Sequence, residues 1–409
     1  MTDPIFASPS RPSGAFPVER TARIPGTIGY YAAFVALGLA SASLGPTLPG
    51  LAEHTQSRLA QISSLFAARS LGYLIGSILG GRLYDRTYGH PVMAGGLFLM
   101  AGMMALAPLT TSLWALTATI LILGLAEGVL DVGGNTLLVW VHREKVGPFM
   151  NGLHFCFGLG AFLSPLIIAY AMLRGGDIFR AYWTLAVLLL PGAVWLLRVS
   201  SPAAPVVSPG GLTGRANGRL VALIVAFLFL YAGAEVSFGG WIYSYAVALR
   251  LSSDTVAAYL TSAFWGALTA GRLLAIPLAI RFPPRYLLLA DFLGCLASLG
   301  ALLLWPHSLI VVWLGTCGLG LSMASIFPAT LSLAQGRMPI SGAVTGWLFV
   351  GASAGGMTLP WLIGQFFESV GPRALIAILV VDLTAAVGLL AVLAFRFARP
   401  VYQRIIGGR

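Results

Sequence analysis

Charged residues are scarce in this sequence. Of its 409 residues, 9% are Asp, Glu, Lys or Arg, whereas 58% are hydrophobic and the mean hydropathy is +0.88. Average soluble domains carry about 25% charged residues, because a globule in water needs polar surface to cover it. The composition therefore excludes a water-soluble protein and predicts a chain that crosses the lipid bilayer several times.

Cysteine is also rare, and motifs for nucleotides and metals are missing. The three cysteines, Cys156, Cys295 and Cys317, lie inside apolar stretches, so we expect no disulfide. The sequence contains no GxxxxGK(S/T) loop, no His/Cys cluster with zinc spacing, and no soluble domain that could organise a Ser/His/Asp set. These absences argue against an ATP-driven pump and against most enzymes, and we expect neither a cofactor nor a metal.

Long apolar runs dominate the rest of the chain. About 20 such residues cross a ~30 Å hydrocarbon core as a helix, and a helix satisfies its own backbone hydrogen bonds in lipid. The fold class predicted is an all-α polytopic membrane protein. Its twelve transmembrane helices are predicted at residues 27–51, 59–81, 92–109, 113–140, 150–173, 180–198, 219–246, 255–280, 286–304, 308–335, 340–366 and 373–396.

Three polar segments set the predicted domain limits. Residues 1–26 are rich in Pro, Ser and Arg and lack the apolar region and cleavage site of a signal peptide, so they predict a flexible cytoplasmic tail. Residues 200–218 have linker composition, and residues 397–409 form a second tail. Residues 27–199 and 219–396 are thereby predicted as two bundles of six helices each.

The two bundles are predicted to be related. The stretch GLAEGVLDVGGNTL at 124–137 aligns with GLGLSMASIFPATL at 318–331, and SSLF at 63–66 aligns with TSAF at 261–264. These matches occur in the same order in both halves, as a duplication of six spans would produce. We expect a pseudo-two-fold axis along the membrane normal, which is typical of a transporter.

Basic residues are distributed unevenly between the loops. Most of the 24 Lys and Arg residues fall on the side that also carries both termini, which is the positive-inside pattern. The sequence therefore predicts a multi-pass protein of the inner (plasma) membrane with both termini in the cytoplasm. We attribute the net charge of +11 to the lipid bilayer and not to nucleic acid.

Five charged residues lie near the middle of predicted spans: Arg69, Glu127, Asp131, Glu235 and Arg272. A charge at the centre of a span costs ~2.5–3.5 kcal/mol on insertion scales, so such residues rarely face lipid. They predict a polar cavity between the two halves. Ion pairs that lock helices together are the alternative interpretation, with Arg69 opposite a carboxylate of span four and Arg272 opposite Glu235.

Span four carries the most informative of these residues. Glu127, Asp131 and Asn135 follow at intervals of four, so their side chains share one helix face. Two acids on one face cannot both ionise cheaply in a low dielectric, so we expect at least one of them to take up a proton or a cation. This property is the one that a coupled transporter needs.

Other polar and aromatic side chains suit a hydroxylated ring. Gln61, Asn151, His154 and Trp241 offer hydrogen bonds or an apolar ring face to a sugar. Alternatives remain open for two of them. Trp241 fits an aromatic belt at the membrane interface equally well, and His154 fits helix packing.

The loop GGRLYDRTYGH at 80–90 resembles the signature that follows the second helix of the major facilitator superfamily. This resemblance implies that Gly81, Asp85 and Arg86 belong to a gating loop. The stretches ARSLGYLIGS, EGVLDVGGN, LHFCFGLGA, EVSFGGWIYSYA and FWGALTAGR are similar to the branch of fucose permease and the sodium-dependent glucose transporters.

The resemblance implies roles for two groups of residues. Asp131 with Asn135 matches an acid-x-x-x-Asn pair of the sugar and proton site, with Asp131 as the coupling carboxylate. The glycine stripes of span two (Gly72, Gly76, Gly80) and span eleven are implied to be surfaces on which helices slide during alternating access.

The favoured function is secondary active transport of a small polar solute, a sugar, driven by a proton or sodium gradient, by a monomer. Efflux of amphipathic compounds or lipids is an alternative, because the polar lining is sparse and Phe and Trp are abundant. A membrane-embedded enzyme or sensor is the alternative from another class, with Glu127 and Asp131 as acid and base. The duplication of a six-span unit favours transport over that class.

Overall fold

A computed structural model describes residues 20–174, 177–202, 218–251, 253–335, 337–338 and 342–396, and their regular structure is helical. Twelve stretches within them are long and apolar enough to span a membrane, which confirms the predicted number. In order, the helices of spans one to twelve are Arg20–Ser41 with Leu44–His54, Leu59–Ile62 with Ser64–Tyr84, Gly89–Leu106, Leu113–His142, Val146–Leu173, Ile178–Arg198, Gly218–Ala248, Asp254–Arg281, Pro284–Leu304, Leu309–Met323 with Ile326–Gln335, Gly342–Phe367 and Arg373–Arg396.

The ends of the helices differ from the predicted limits of the apolar runs. Span one begins at Arg20, inside the predicted tail 1–26, because hydropathy marks the edge of the hydrocarbon and a helix can continue beyond it. Residues 1–19 of that tail, 203–217 of the predicted linker and 397–409 of the second tail lie outside the described residues.

Two spans are broken four residues before a proline. Span one is interrupted at Ala42 and Ser43, ahead of Pro46, and span ten at Ala324 and Ser325, ahead of Pro328. Proline has no N–H, so it cannot donate to the carbonyl four residues earlier, and the helix loses a hydrogen bond there. The missing hydrogen bond allows a break without dictating one, since Pro165 and Pro277 lie in uninterrupted helices. Both broken spans remain long enough to cross the bilayer.

Glycines allow span two to pack closely on span four. A Cβ added at Gly72 or Gly76 would lie 2.0 Å from the carbonyl oxygen of Leu121 or Leu125, respectively. Only glycine lets the two backbones approach in this way. The predicted sliding surface between spans two and eleven is therefore wrong for this stripe, because its glycines face another helix of the same half.

The stripe of span eleven is likewise internal to its own half. A Cβ added at Gly355 would lie 1.9 Å from the carbonyl oxygen of Phe229 in span seven, and one at Gly351 would lie 2.6 Å from that of Val225. Spans seven and eleven therefore form a close contact in the C-terminal half that corresponds to the contact of spans two and four in the N-terminal half. Such close backbone contacts hold a bundle rigid and do not slide easily.

With twelve spans, the described chain begins and ends on one face, which we call the terminal face; the other is the distal face. The halves are joined mainly towards the distal face. There the Gln365 amide donates to the Ala60 carbonyl at 2.8 Å, and the Leu59 N–H donates to the Glu368 carboxylate at 2.8 Å.

Closer to the terminal face the halves separate. Trp347 is 61% exposed near the terminal end of span eleven, and a Cβ added at the neighbouring Gly346 would meet nothing within 4 Å. Around mid-membrane, Gly158 of span five still lies against Thr269 of span eight. Among the described residues, spans four and ten pack mainly on helices of their own half. The described residues are therefore joined across the halves at the distal face and leave the halves apart towards the terminal face.

Candidate functional site

Glu127 of span four and Arg69 of span two form a bidentate ion pair. Arg69 Nε and Nη2 donate to the two carboxylate oxygens of Glu127 at 2.9 and 2.8 Å. The guanidinium also donates to the carbonyl and hydroxyl oxygens of Ser41, where span one ends its first helix, at 2.7 and 2.9 Å. The Glu127 side chain is 2% exposed and that of Arg69 is 15% exposed, so this cluster ties together spans one, two and four.

Asp131 lies one turn further towards the terminal face and has a different environment. Tyr73 Oη donates to one carboxylate oxygen at 2.5 Å, and Asn135 Nδ2 donates to the other at 3.1 Å. The described residues contain two ion pairs, and Asp131 belongs to neither. Asp131 therefore has neutral hydrogen-bond donors in place of a counter-ion, and the predicted pairing of Arg69 with a span-four acid is realised by Glu127 alone.

The C-terminal half carries a second charged cluster on its cavity side. Arg272 of span eight lies 3.7 Å from Glu235 of span seven, and their side chains are 28% and 15% exposed. Tyr231, one turn before Glu235 on the same helix, donates a hydrogen bond to the Glu235 carboxylate. This pair is longer and more accessible than that of Arg69, so water and solute can compete for its charges.

Two predicted residues of span five lie on the open side. His154 and Asn151 are exposed, and the His154 ring packs edge-on against Phe34 with centroids 6.0 Å apart. Because Gly158 meets Thr269, the next turn of each helix towards the terminal face brings His154 and Arg272 to the same level of the cavity. His154 and Asn151 are thus placed where a solute entering from the terminal face would pass.

A cavity of about 300 Å³ lies beside Asn135 on the terminal side of the carboxylates. Its lining comes from spans four and five: Asn135, Thr136, Val139, Trp140 and Met150. A larger cavity, of about 820 Å³, is formed by the distal ends of spans five and six on the outer surface of the bundle. Its exposed Trp183 and Val187 belong to the apolar exterior, away from the charged residues in the middle of the spans.

Gln61 and Trp241 do not lie with the other predicted residues. Gln61 is exposed at the distal end of span two, where its side chain accepts from the Arg58 N–H at 2.9 Å and begins the helix. Trp241 is fully buried, and its ring nitrogen already donates to the Pro360 carbonyl at 3.0 Å. In this structure neither residue lines the cavity, because Gln61 caps a helix and Trp241 packs against Phe66 in the distal closure. Their role as solute ligands stays a prediction.

The predicted gating loop ends span two at the terminal face. Asp85 and Arg86 are exposed, and their N–H groups donate to the carbonyls of Gly81 and Leu83 in the last turn. The neighbouring His90 is 1% exposed and fastens span three to span six, since its Nδ1 lies 2.8 Å from the Val199 carbonyl. The loop is therefore anchored on one side by a buried histidine.

The sequence analysis missed four polar residues inside spans. Tyr73 donates to Asp131 and Tyr231 donates to Glu235. A tyrosine within an apolar helix carries no sequence signal that would identify it as such a partner. Asp291 and Asp382 satisfy the same criterion of a charge within a span that identified the others. Asp382 is 5% exposed, and neither of its oxygens has a hydrogen-bond partner among the described residues.

The described residues include no group of three or more His, Cys, Asp or Glu side chains that could hold a metal ion. What the arrangement offers instead is a set of carboxylates, phenols and amides along a cavity, which can bind hydroxyl groups and exchange a monovalent charge.

Solved transporters share this fold. The structure matches a nucleoside transporter with a TM-score of 0.72, at 12% identity and over 91% of this chain and 98% of the other. It matches a D-xylose-proton symporter with the same TM-score, at 14% identity and over 92% and 98% of the two chains. At these identities the likeness concerns the fold.

Curated relatives are closer in sequence. The chain is 32% identical to sodium-dependent glucose transporter 1 of Xenopus laevis over 356 residues, covering 80% of this chain and 72% of the relative. The human protein of the same name is also 32% identical, with 81% and 72% covered. The family model of the Major Facilitator Superfamily matches residues 30–360, and this chain belongs to that superfamily of membrane transporters.

Proposed function

We propose that this protein is a secondary active transporter that moves a sugar by alternating access, coupled to a proton or sodium gradient through Asp131. The names of the relatives support a sugar and an ion. The observation that carries the proposal is the contrast between the span-four acids. Glu127 is neutralised by Arg69, whereas Asp131 has only neutral donors and so can gain a positive charge.

The proposed coupling works through Asp131 without Arg69. A proton or Na⁺ entering from the open side would neutralise the carboxylate and remove the cost of enclosing an unpaired charge in low dielectric. The cavity could then close around the solute more readily than around the empty, ionised site. Glu127 would keep spans one, two and four in place during this cycle, as a positioning residue and not as a carrier.

The solute is proposed to bind between the two charged clusters. Asn135, Asn151 and His154 supply hydrogen-bond donors and acceptors from the N-terminal half, and the partly exposed Arg272–Glu235 pair supplies them from the other. Hydroxyl groups of a sugar can satisfy both members of such a pair. Binding to both halves would favour the conformation in which they approach each other at the terminal face.

Topology and location are part of the proposal. We place the terminal face in the cytoplasm of a plasma (inner) membrane because the basic loops lie on that side. The distal closure then faces outward, and the described conformation is the one that exchanges solute with the cytoplasm. The domain limits 27–199 and 219–396 and the monomeric state are proposed on the same basis, and the chemistry is proposed to be transport without an enzymatic step.

The decisive test is Asp131→Asn in proteoliposomes. Sugar accumulation driven by an inward proton or sodium gradient should fall to the level reached without a gradient, because the neutral amide mimics the loaded state. Exchange of labelled for unlabelled sugar should persist. Asp177→Asn is the matched control, since Asp177 is exposed at the start of span six and an Asn also caps a helix.

Accumulation by Asp131→Asn equal to that of the parent protein would show that Asp131 is not the coupling residue, and Glu235 would be tested next. Extrusion of amphipathic compounds with no sugar uptake under either gradient would instead favour the efflux alternative. A panel of sugars in a thermal-shift assay would first identify the solute, because a ligand of the folded state raises its apparent stability.

A further inference from the structure

The helix of span ten is interrupted inside the membrane at a point that the proposed coupling does not use. Its first helix, Leu309–Met323, ends at Met323, and its second begins at Ile326. Pro328 has no N–H to donate to the Ala324 carbonyl, so the break presents main-chain oxygens without their usual helical donors. The C-terminal end of a 15-residue helix also carries partial negative charge.

A carboxylate from span nine lies at this break. Ser325 Oγ, within the break itself, donates a hydrogen bond to the Asp291 carboxylate. Two ion pairs are found in the part of the chain that the structure describes, and Asp291 is in neither. The break therefore brings the carboxylate of Asp291 next to the negative end of a helix. Neither of the two ion pairs among the described residues supplies a cation to this carboxylate.

Further hydroxyl groups continue along the same seam. Spans nine and ten run antiparallel, and the next contact beyond Asp291 and Ser325 brings Ser322 Oγ to 2.3 Å from the position of a Cβ at Gly294. The contact after that brings Ser298 Oγ to 2.7 Å from the Cβ position of Gly318. Gly294 and Gly318 thus make room for the hydroxyl oxygens of Ser322 and Ser298. The contact between spans nine and ten is therefore lined by oxygen atoms of the kind that bind Na⁺.

The break is also connected to the cavity. Tyr231 Oη lies within hydrogen-bond reach of both the Met323 carbonyl, at 3.1 Å, and the Glu235 carboxylate. A phenol has a single proton to donate, so it satisfies one of these acceptors at a time. When Tyr231 donates to Glu235, the Met323 carbonyl oxygen is available to bind a cation.

We propose that the break in span ten is a sodium site, in which the Asp291 carboxylate, the Ser325 hydroxyl and the main-chain oxygens at the end of the first helix bind one Na⁺. A single carboxylate balances a monovalent ion, and carbonyls at the ends of broken membrane helices are suitable Na⁺ ligands. The site deepens the proposed function by adding Na⁺ at Asp291 as a second bound ion beside the one proposed at Asp131, and to that extent it rests on that proposal. Na⁺ bound to the Met323 carbonyl would leave Tyr231 to donate to Glu235, and this would couple Na⁺ binding to the proposed solute site.

The test is Na⁺ binding to the purified full-length protein in detergent. Apparent melting temperature is measured in increasing NaCl at constant ionic strength, with choline chloride as the replacement and KCl as a second control. We expect Na⁺ to raise the melting temperature of the parent protein and of Asp131→Asn, and not that of Asp291→Asn. Ser325→Ala should need a higher Na⁺ concentration for the same rise, and Ser369→Ala, at the distal end of span eleven, should behave like the parent.

Several results would overturn the site. These are a parent protein that does not respond to Na⁺, an equal response to K⁺, and a response that Asp291→Asn retains but Asp131→Asn loses. If Asp291→Asn does not fold, an unchanged Na⁺ response in Ser325→Ala has the same meaning. Failure of the proposed function is distinguishable, because it appears as absent sugar uptake in proteoliposomes whether or not Na⁺ binds to the purified protein.

Discussion

The ion pair between Arg69 and Glu127 gives the sharpest prediction about what holds the N-terminal half together. We consider Arg69→Leu, Glu127→Leu and the double variant. Glu127 is 2% exposed and takes both of its charged hydrogen bonds from Arg69. Arg69 is 15% exposed and keeps two bonds to Ser41 when Glu127 is absent. The two single variants should therefore differ.

The magnitudes follow from what each change leaves behind. Arg69→Leu strands a buried carboxylate, and breaking a buried pair in this way costs ~3–5 kcal/mol. Glu127→Leu leaves a guanidinium that still has polar partners, so we expect a smaller loss of about 2 kcal/mol, close to that of one charged hydrogen bond. The double variant leaves no stranded charge, so its loss should fall short of the sum by about 2–3 kcal/mol, which is the coupling between the two residues.

The assay is unfolding of the purified protein, followed by tryptophan fluorescence as temperature or denaturant rises. With ~2 °C per kcal/mol for a large domain, Arg69→Leu should lower the melting temperature by about 6–10 °C. The double variant should melt above Arg69→Leu. Additive losses in the double variant would refute the reasoning, because they would mean that the two charges do not stabilise each other.

Two further predictions concern glycine packing and the distal closure. Gly76→Ala should lower the melting temperature, because its Cβ would lie 2.0 Å from a backbone oxygen, whereas Gly102→Ala, with nothing within 4 Å, should leave it unchanged or slightly higher; equal effects would contradict the packing argument. Glu368→Gln should weaken the hydrogen bond from the Leu59 N–H and so destabilise the distal closure by about 1 kcal/mol. A cysteine placed at the buried Ser63 should then react with a thiol reagent several-fold faster. Ser369→Ala, which bonds only within its own helix, is the control and should label at the parent rate.

The membrane fold follows from local properties of the chain. A span is a local property, because about 20 consecutive apolar residues suffice to cross the hydrocarbon whatever their neighbours are. All twelve spans were accordingly predictable, and so was the fact that Arg69, Glu127, Asp131, Glu235 and Arg272 lie inside them. The cost of a charge in lipid identifies such residues without any knowledge of the fold. The same criterion, applied to every span, also selects Asp291 and Asp382.

Which partner each residue has depends on how the helices pack in three dimensions. Spacing along span four places Glu127 and Asp131 on one face, yet it cannot say which acid Arg69 reaches, since that depends on the height at which spans two and four cross. The glycines fix that crossing through backbone contacts, and they bring Arg69 to Glu127 and Tyr73 to Asp131.

The side on which the two halves meet was likewise beyond the sequence. Gln61 and Trp241 have the chemistry of sugar ligands, but their place depends on whether the distal ends of the spans are together or apart. The same residues must serve a transporter in both arrangements, so no local pattern can encode one of them. Contacts between halves that are far apart in the chain choose the arrangement, and they place these two residues outside the open cavity.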